Sequence, residues 1–400
     1  MKITGIVAEY NPFHLGHQYH IGKSLEHARA EAIIALISAN FTQRGEPSIV
    51  DKFARARMAL SCGVNLVIEL PCVFSCRNAG IFADAAIDTL AGTGIVGCVS
   101  FGTEARLGEK SLFESAAEVL NAEPPAFKDS LKKFLGIGYS FVQSRSMALE
   151  ETIPGALGLL KSPNNNLALA YIKRIREKKY PMETLLVERT GAEFHDSTAR
   201  GGIASASAIR GMISSPDIGA ALRFMPETCA DIIAGEIKNG HAAQSRDRLW
   251  RAVKQALLRA SREELSDIAE MREGLENRMK SCAYAAESYD SFVDMCTSRR
   301  YPRGRIQRYC AHILLNLRRA QSEKFQKNGP AYIRILGADE TGRELLRMMR
   351  DSAALPVLSK AGGHMSAYAW EVMRFEKTAS EIWETLTESP RKNAESGAFL

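Results

Sequence analysis

The first hundred residues alternate between short apolar runs and longer stretches of helical periodicity. ITGIVAEY (3–10), AIIALIS (32–38), NLVIELP (65–71) and CVSFG (98–102) are apolar and rich in β-branched residues. Between them, apolar positions recur at helical spacing over about 17–30, 51–63 and 78–92. Short buried-type strands alternating with helices predict a parallel, doubly wound sheet covered on both faces. The pattern is mainly helical from about 110 to 180, with breaks at AEPPAF (122–127) and KSPNNN (161–166). METLLVERTG (182–191) reads as a further strand, and ARGGIASASAIRGMI (199–213) as a glycine turn opening a helix. Residues 217–319 are almost wholly helical in pattern, and strand-like AYIRILG (331–337) and LPVLSK (355–360) then flank a helical stretch at 340–352. The reading is an α/β domain over 1–213, a mainly helical domain over 214–325, and a small α/β tail over 326–400 that docks on a sheet.

Composition narrows the class without naming a function. Of 400 residues, 46% are apolar and 24% charged, the balance of an ordinary globular protein. There is no uninterrupted apolar run of about 18 residues, so no membrane span is expected. MKITGIVAEYNP reads as a first strand and not as a signal peptide. The eight cysteines are scattered, and Cys72 and Cys76, the one close pair, have no second pair to complete a zinc site. That usage suits a reducing cytoplasm. A net charge of +6 is mild, so any nucleic-acid surface must be a local patch.

The densest chemistry lies in EYNPFHLGHQYH (9–20), where His14, His17 and His20 fall at steps of three. Zinc ligation lacks an HExxH carboxylate and a third ligand of familiar spacing, and satisfied core histidines are a second alternative. Position favours a third reading. The stretch follows a buried strand and opens a helix, and open parallel sheets bind ligands at their carboxyl edge, where helix N-termini direct exposed N–H groups outward. Imidazoles donate to phosphate oxygen, and Gly16 lets the backbone approach closely.

HxGH after a first strand, followed by SASAIR (205–210), resembles the two signatures of the HIGH-type nucleotidyltransferases. FTQRGEPSIVDKFARARMAL, VIELP, FGTE, SPNNNLALAYIK, RTGAEFHD, CTSRRYPRGRIQR and YIRILG extend the likeness over nearly the whole chain. Together they resemble the bacterial tRNA(Met) cytidine acetate ligases. The resemblance implies that acetate and ATP give acetyl-adenylate, whose acetyl group passes to N4 of the wobble cytidine of elongator tRNA(Met). It implies an ATP-binding stretch of Val7, Ala8, Glu9, Tyr10, Asn11, Pro12, Phe13, His14, Leu15, Gly16, His17, Gln18, Tyr19 and His20. Gly102, Asn164, Asn165, Arg189, Ser205 and Ser207 are further expected contacts. His14, His17, Lys23 and Arg210 are expected to neutralise the phosphates during in-line attack, with Mg²⁺ bridging phosphate oxygens. The family usually has glycine where Ala39 stands, so the acetate pocket is expected to be narrowed or its acid changed, and aspartate where Asn65 stands.

Other assignments stay open. The sequence does not identify a general base for acetyl transfer; Asp196, beside His195, is a candidate, with an ordinary turn or cap aspartate as the plainer alternative. Arg44 and Lys52 suit either substrate contacts or a loop leading into a helix capped by Asp51. For the RNA partner, Arg299, Arg300, Arg303, Arg305 and Arg308, with Arg318 and Arg319 beyond, lie in a stretch free of acids from Met295 through Ser322. Tyr301 and Tyr309 are interleaved, which suits phosphate contact and base stacking on an anticodon loop. A small-molecule adenylyltransferase shares the two signatures but leaves that segment unexplained, and a non-catalytic nucleotide- and tRNA-binding protein is the third possibility.

Overall fold

A computed structural model describes residues 1–104, 107–189, 204–214, 218–272, 274–359 and 365–391. Seven strands form one sheet in the order β5-β4-β1-β2-β3-β6-β7. They are β1 Ile3–Ala8, β2 Ala32–Ser38, β3 Leu66–Leu70, β4 Cys98–Thr103, β5 Glu183–Glu188, β6 Ile333–Ala338 and β7 Val357–Leu358. The five strands from β1 to β5 run parallel, as the alternating pattern predicts. Every residue of β2 and β3 is buried, because helices cover both faces and remove any need for alternation. After β3 the chain crosses back to place β4 on the other side of β1. The resulting switch point between β1 and β4 opens a crevice at their carboxyl ends.

Helix α1, Leu15–Ala28, leaves β1, and α2, Lys52–Leu60, lies between β2 and β3 with the Asp51 carboxylate accepting from Ala54 N at 2.6 Å. The tail's strands extend the sheet itself: β6 pairs antiparallel with β3, and β7 pairs parallel with β6. Helices between Arg246 and Leu314 build a second core around Trp250, Phe292 and Tyr309. The last helix, Ala367–Glu384, serves both cores, with Val372 and Met373 in the first and Trp383 in the second. Trp383 is fully buried and donates Nε1 to Ser48 O at 2.8 Å, locking that helix to the loop after β2. Among the described residues no helix is long and apolar enough to cross a membrane.

Asn65 has a reason visible only in three dimensions. Its Oδ1 accepts from Ile33 N at 2.9 Å, and its Nδ2 donates to Asp339 Oδ2 at 3.0 Å. Asp339 caps the helix after β6 through Gly342 N. An aspartate at 65 would set two carboxylates against each other, so the amide suits this partner. The Ala39 methyl is fully buried beside Phe41, Cys72 and Cys76 in the second core.

Candidate functional site

Beyond β1, Tyr10 adopts a left-handed φ of 47°, and the Asn11–Pro12 peptide bond is cis. Asn11 is buried and takes Ile49 N on its Oδ1 at 2.8 Å. Tyr10 and Phe13 turn into the core beneath α1, and both rings pack against His17, with centroids 4.9 and 5.4 Å away. Pro12 is also buried, whereas Val7, Ala8, Glu9, Leu15, Gly16 and Tyr19 are half-buried and Gln18 is exposed.

His14 is the N-cap of α1. Gly16 N donates to His14 Nδ1 at 3.0 Å, and His14 N donates to His17 Nδ1 at 3.2 Å. Two imidazoles thus perform a reciprocal cap of the kind usually made by Ser and Glu. With both Nδ1 atoms accepting, each neutral ring must carry its proton on Nε2. Burial, followed by the nearby Arg189 and Arg210 charges, pushes the His14 imidazole down to about 3. Burial, His14 and Arg189 hold His17 well below its ordinary value. Both rings are therefore neutral Nε2–H donors at physiological pH.

The N–H groups expected to be exposed at the start of α1 are used internally. Leu15 N donates to Phe224 O, Gly16 N to His14 Nδ1, and His17 N to His14 O. At this helix start the imidazole Nε2–H groups, and not these backbone N–H groups, are the donors left to face the crevice. His20 has a different role. Ser24 Oγ donates to His20 O, Ser100 Oγ donates to Ser24 Oγ at 2.7 Å, and His20 Nε2 donates to Ser100 Oγ at 3.0 Å. This closed chain bolts α1 to β4. Burial and Arg189 push the His20 imidazole down to about 4.

Gly102, near the end of β4, makes room for a neighbour: a Cβ there would lie 3.3 Å from Arg189 Cγ. Arg189, just past β5, is 3.9 Å from Glu104, whose carboxylate also accepts from Ser162 and Asn164. Asn165 Oδ1 accepts from Glu104 N at 3.0 Å. Ser205 caps the Ala206–Ile213 helix, and Arg210 on that helix reaches back across the crevice. Its guanidinium donates to Asn11 O at 3.0 Å, Ser207 Oγ at 3.1 Å and Glu46 at 3.3 Å. The crevice thus gathers His14, His17, Gly102, Asn165, Arg189 and Arg210. Lys23 lies apart, on a partly exposed face of α1, paired with Glu26 at 2.7 Å. His195 and Asp196 lie outside the described residues.

A HIGH nucleotidyl transferase family model matches residues 1–397. The tRNA(Met) cytidine acetate ligase of Clostridium perfringens is 34% identical over 405 residues, covering 99% of this chain and 98% of that one. That of Syntrophomonas wolfei is 36% identical over 404 residues, covering 98% and 96%. The chain belongs to the tRNA(Met) cytidine acetate ligase family. Its fold matches a crystal structure of apo Thermotoga maritima TmcAL with a TM-score of 0.93, 31% identity and full coverage of both chains. A second TmcAL structure from the same organism, bound with alpha-thio ATP, matches with a TM-score of 0.90 at 29% identity, again over both whole chains.

In this ligase-family chain the arginine-rich segment is less bare than its sequence. Arg303 bonds Asp290 at 2.5 Å and also Asp294, both on the preceding helix. Arg318 lies 3.7 Å from Asp267. Tyr301 and Tyr309 are buried, and Arg305 packs over both rings while donating to the Tyr309 hydroxyl at 2.9 Å. Those tyrosines are occupied by Arg305 and core packing, whereas Arg299 and Arg300 are exposed. Arg308 is half-buried, and desolvation lowers its guanidinium against the pull of Glu270.

Lys52 is fully buried, which removes the substrate-contact reading. Its Nζ pairs with Glu69 and, at 3.2 Å, with Glu376 of the last helix; Arg334 closes the group 3.7 Å from Glu69. Sequence reading passed over Glu46 as an organiser, together with Arg246 and Gln307, which meet it at 3.1 and 3.0 Å from 200 and 261 residues away.

Proposed function

We propose that this chain is an ATP-dependent ligase that activates acetate as acetyl-adenylate and acetylates N4 of the wobble cytidine of elongator tRNA(Met). The observation that carries the reading is the pairing of two neutral Nε2–H donors with Arg189 and Arg210 at the β1–β4 crevice. End-to-end likeness to cytidine acetate ligases, one of them solved with alpha-thio ATP, supports ATP and tRNA(Met) as the substrates.

In the first step a carboxylate oxygen of acetate bonds to the α-phosphorus of ATP, and the bond to pyrophosphate breaks. No protein nucleophile is required; the protein supplies alignment and charge neutralisation. His14 and His17 donate to phosphate oxygens without having to lose a proton. Arg210 opposes them across the crevice, and Arg189 lies over the strand end that Gly102 leaves open. Mg²⁺ would enter as the companion of the triphosphate and add to the charge neutralisation that His14, His17, Arg189 and Arg210 supply. In the second step N4 of cytidine bonds to the acetyl carbon, AMP departs and N4 loses a proton. Eight free thiols support placing this chemistry in a reducing cytoplasm.

The test is ATP–pyrophosphate exchange with and without acetate, followed by measurement of N4-acetylcytidine after tRNA addition. Acetate-dependent exchange and acetylated tRNA are expected. Exchange that needs a phosphorylated small molecule instead would identify an adenylyltransferase. ATP binding without exchange would identify a non-catalytic nucleotide-binding protein.

A further inference from the structure

Glu46 stands on the loop that follows β2. Thr42 fixes that loop by donating N and Oγ1 to Glu46 O at 2.9 and 3.0 Å, and Phe41 bridges Pro47. At its tip Gly45 has a φ of 81° and is wedged against the Arg303–Leu314 helix, where a Cβ would sit 2.4 Å from Arg308 Cα. The carboxylate is thereby held in one place. Its Oε1 takes Arg246 Nη2 and Gln307 Nε2, and its Oε2 takes Arg210 Nη2. Burial opposes its ionisation, but Arg210 and Arg246 outweigh burial and keep the carboxyl below its ordinary range.

This group walls a cavity of about 470 Å³ whose lining among the described residues includes Arg44, Ser207, Arg210, Arg246, Arg303 and Gln307. That volume lies in the range of small-molecule sites, and its lining mixes apolar side chains such as Ile49 and Leu249 with several charged groups, Asp290 among them. Because Arg210 belongs both to this wall and to the histidine crevice, whatever the cavity holds lies next to the phosphate site.

We infer that the cavity receives the target base of the RNA, and that Glu46, backed by Gln307 and Arg246, selects cytosine over uracil. The inference rests on the acetyl-transfer reading above. Cytosine presents a donor at N4 and acceptors at N3 and O2. An ionised carboxylate is acceptor-only and has about four lone-pair positions, of which three are taken here, so one is left for N4–H. The carboxamide of Gln307 and the guanidinium of Arg246 are donors beside it, suited to N3 and O2. Uracil reverses both requirements: its O4 faces the carboxylate and its N3–H faces the donors. A base modified within a strand must be unstacked and read on its Watson–Crick edge, and this wall offers the complement of that edge. Arg44, also in the lining, is a cation suited to a flanking phosphate, whereas Arg303 is held by Asp290 and Asp294. Glu46 and Gln307 are both specificity-determining residues in this scheme.

The test compares anticodon stem–loop RNAs carrying C or U at the target position, by equilibrium binding at one salt concentration, for wild type, Glu46→Gln and Gln307→Met. Thermal unfolding of each variant is measured alongside. The wild type is expected to prefer C by roughly ten- to a hundredfold, the discrimination of one or two base-edge contacts. Glu46→Gln is expected to reduce the preference to below about threefold, because a carboxamide presents either a donor or an acceptor. Gln307→Met is expected to weaken binding of the C-bearing RNA while leaving that of the U-bearing RNA near wild type. A folded Glu46→Gln or Gln307→Met protein that keeps the full preference would overturn the inference and leave the functional reading standing. Wild-type protein without acetate-dependent exchange would overturn the functional reading, and the inference with it.

Discussion

His14 and His17 stack with ring centroids 3.7 Å apart, each with Nδ1 occupied by a backbone N–H. Those two bonds force both protons onto Nε2 and make the stacked pair a fixed double donor. Removing one donor from a preorganised anion site costs about 10²–10³ in rate. His17→Ala is therefore expected to lower acetate-dependent pyrophosphate exchange by that factor while tRNA affinity changes less than about twofold. Equal losses in both measurements would contradict the division of roles.

The same burial couples stability to pH. Folding lowers the proton affinity of His14 from an ordinary 6.5 to about 3, so the unfolded chain takes up the proton first as pH falls. The contribution is complete above about 6.5 and is lost progressively between there and about 3. Between pH 7 and pH 5 the wild type should lose on the order of 1–2 kcal/mol more than His14→Asn, which keeps a capping acceptor but cannot titrate. Urea unfolding at the two pH values reads the difference.

Lys52→Met removes the ammonium that Glu69 and Glu376 share in the interior. Leaving two buried carboxylates without the ammonium, with Arg334 as the remaining cation of the group, should cost about 3–5 kcal/mol. Denaturant unfolding checks the loss. Under conditions where the variant is folded, the salt dependence of its tRNA binding should match the wild type, because Lys52 reaches no surface.

Asn65→Asp sets a carboxylate against Asp339, with an expected loss of about 1–2 kcal/mol. Adding Asp339→Asn should recover most of it, because the new amide can donate in the opposite direction. An additive double variant would show that the pair does not interact.

Arg299→Gln should reduce the slope of log affinity for tRNA against log salt by about one, with pyrophosphate exchange unchanged. Arg305→Gln should instead lower thermal stability, because that guanidinium lies over Tyr301 and Tyr309. Fluorescence titration across salt and a thermal melt separate the two.

The parallel strands were legible because buried β-branched runs need no long-range information. So was the histidine crevice, since His14, Gly16 and His17 lie within one turn of chain. What escaped was set by distance along the sequence. The run from Met295 through Ser322 holds no acid, yet Asp290, Asp294 and Asp267 reach its arginines from outside. Lys52 suited a substrate contact or a loop before a helix, and its burial was hidden because its partners arrive from β3 and the last helix. Glu46 looked like one charge among several in a loop, and nothing local announces Arg210, Arg246 and Gln307 as its neighbours. The first-turn N–H groups of α1 were misjudged for a different reason: histidine is an uncommon cap, and its acceptor role is hidden in the sequence.

The antiparallel pairing of β6 with β3 has a consequence for how the chain is made. A ribosome must deliver residue 338 before the β3 edge is covered, and Trp383 before the last helix can lock to Ser48. Until then the growing chain carries a mostly apolar strand, interrupted only by Glu69, with one open edge, the kind of surface that pairs with other chains. The closing stretch of sequence therefore acts as a seal, and nascent chains stopped before it should depend on chaperones far more than the finished protein does.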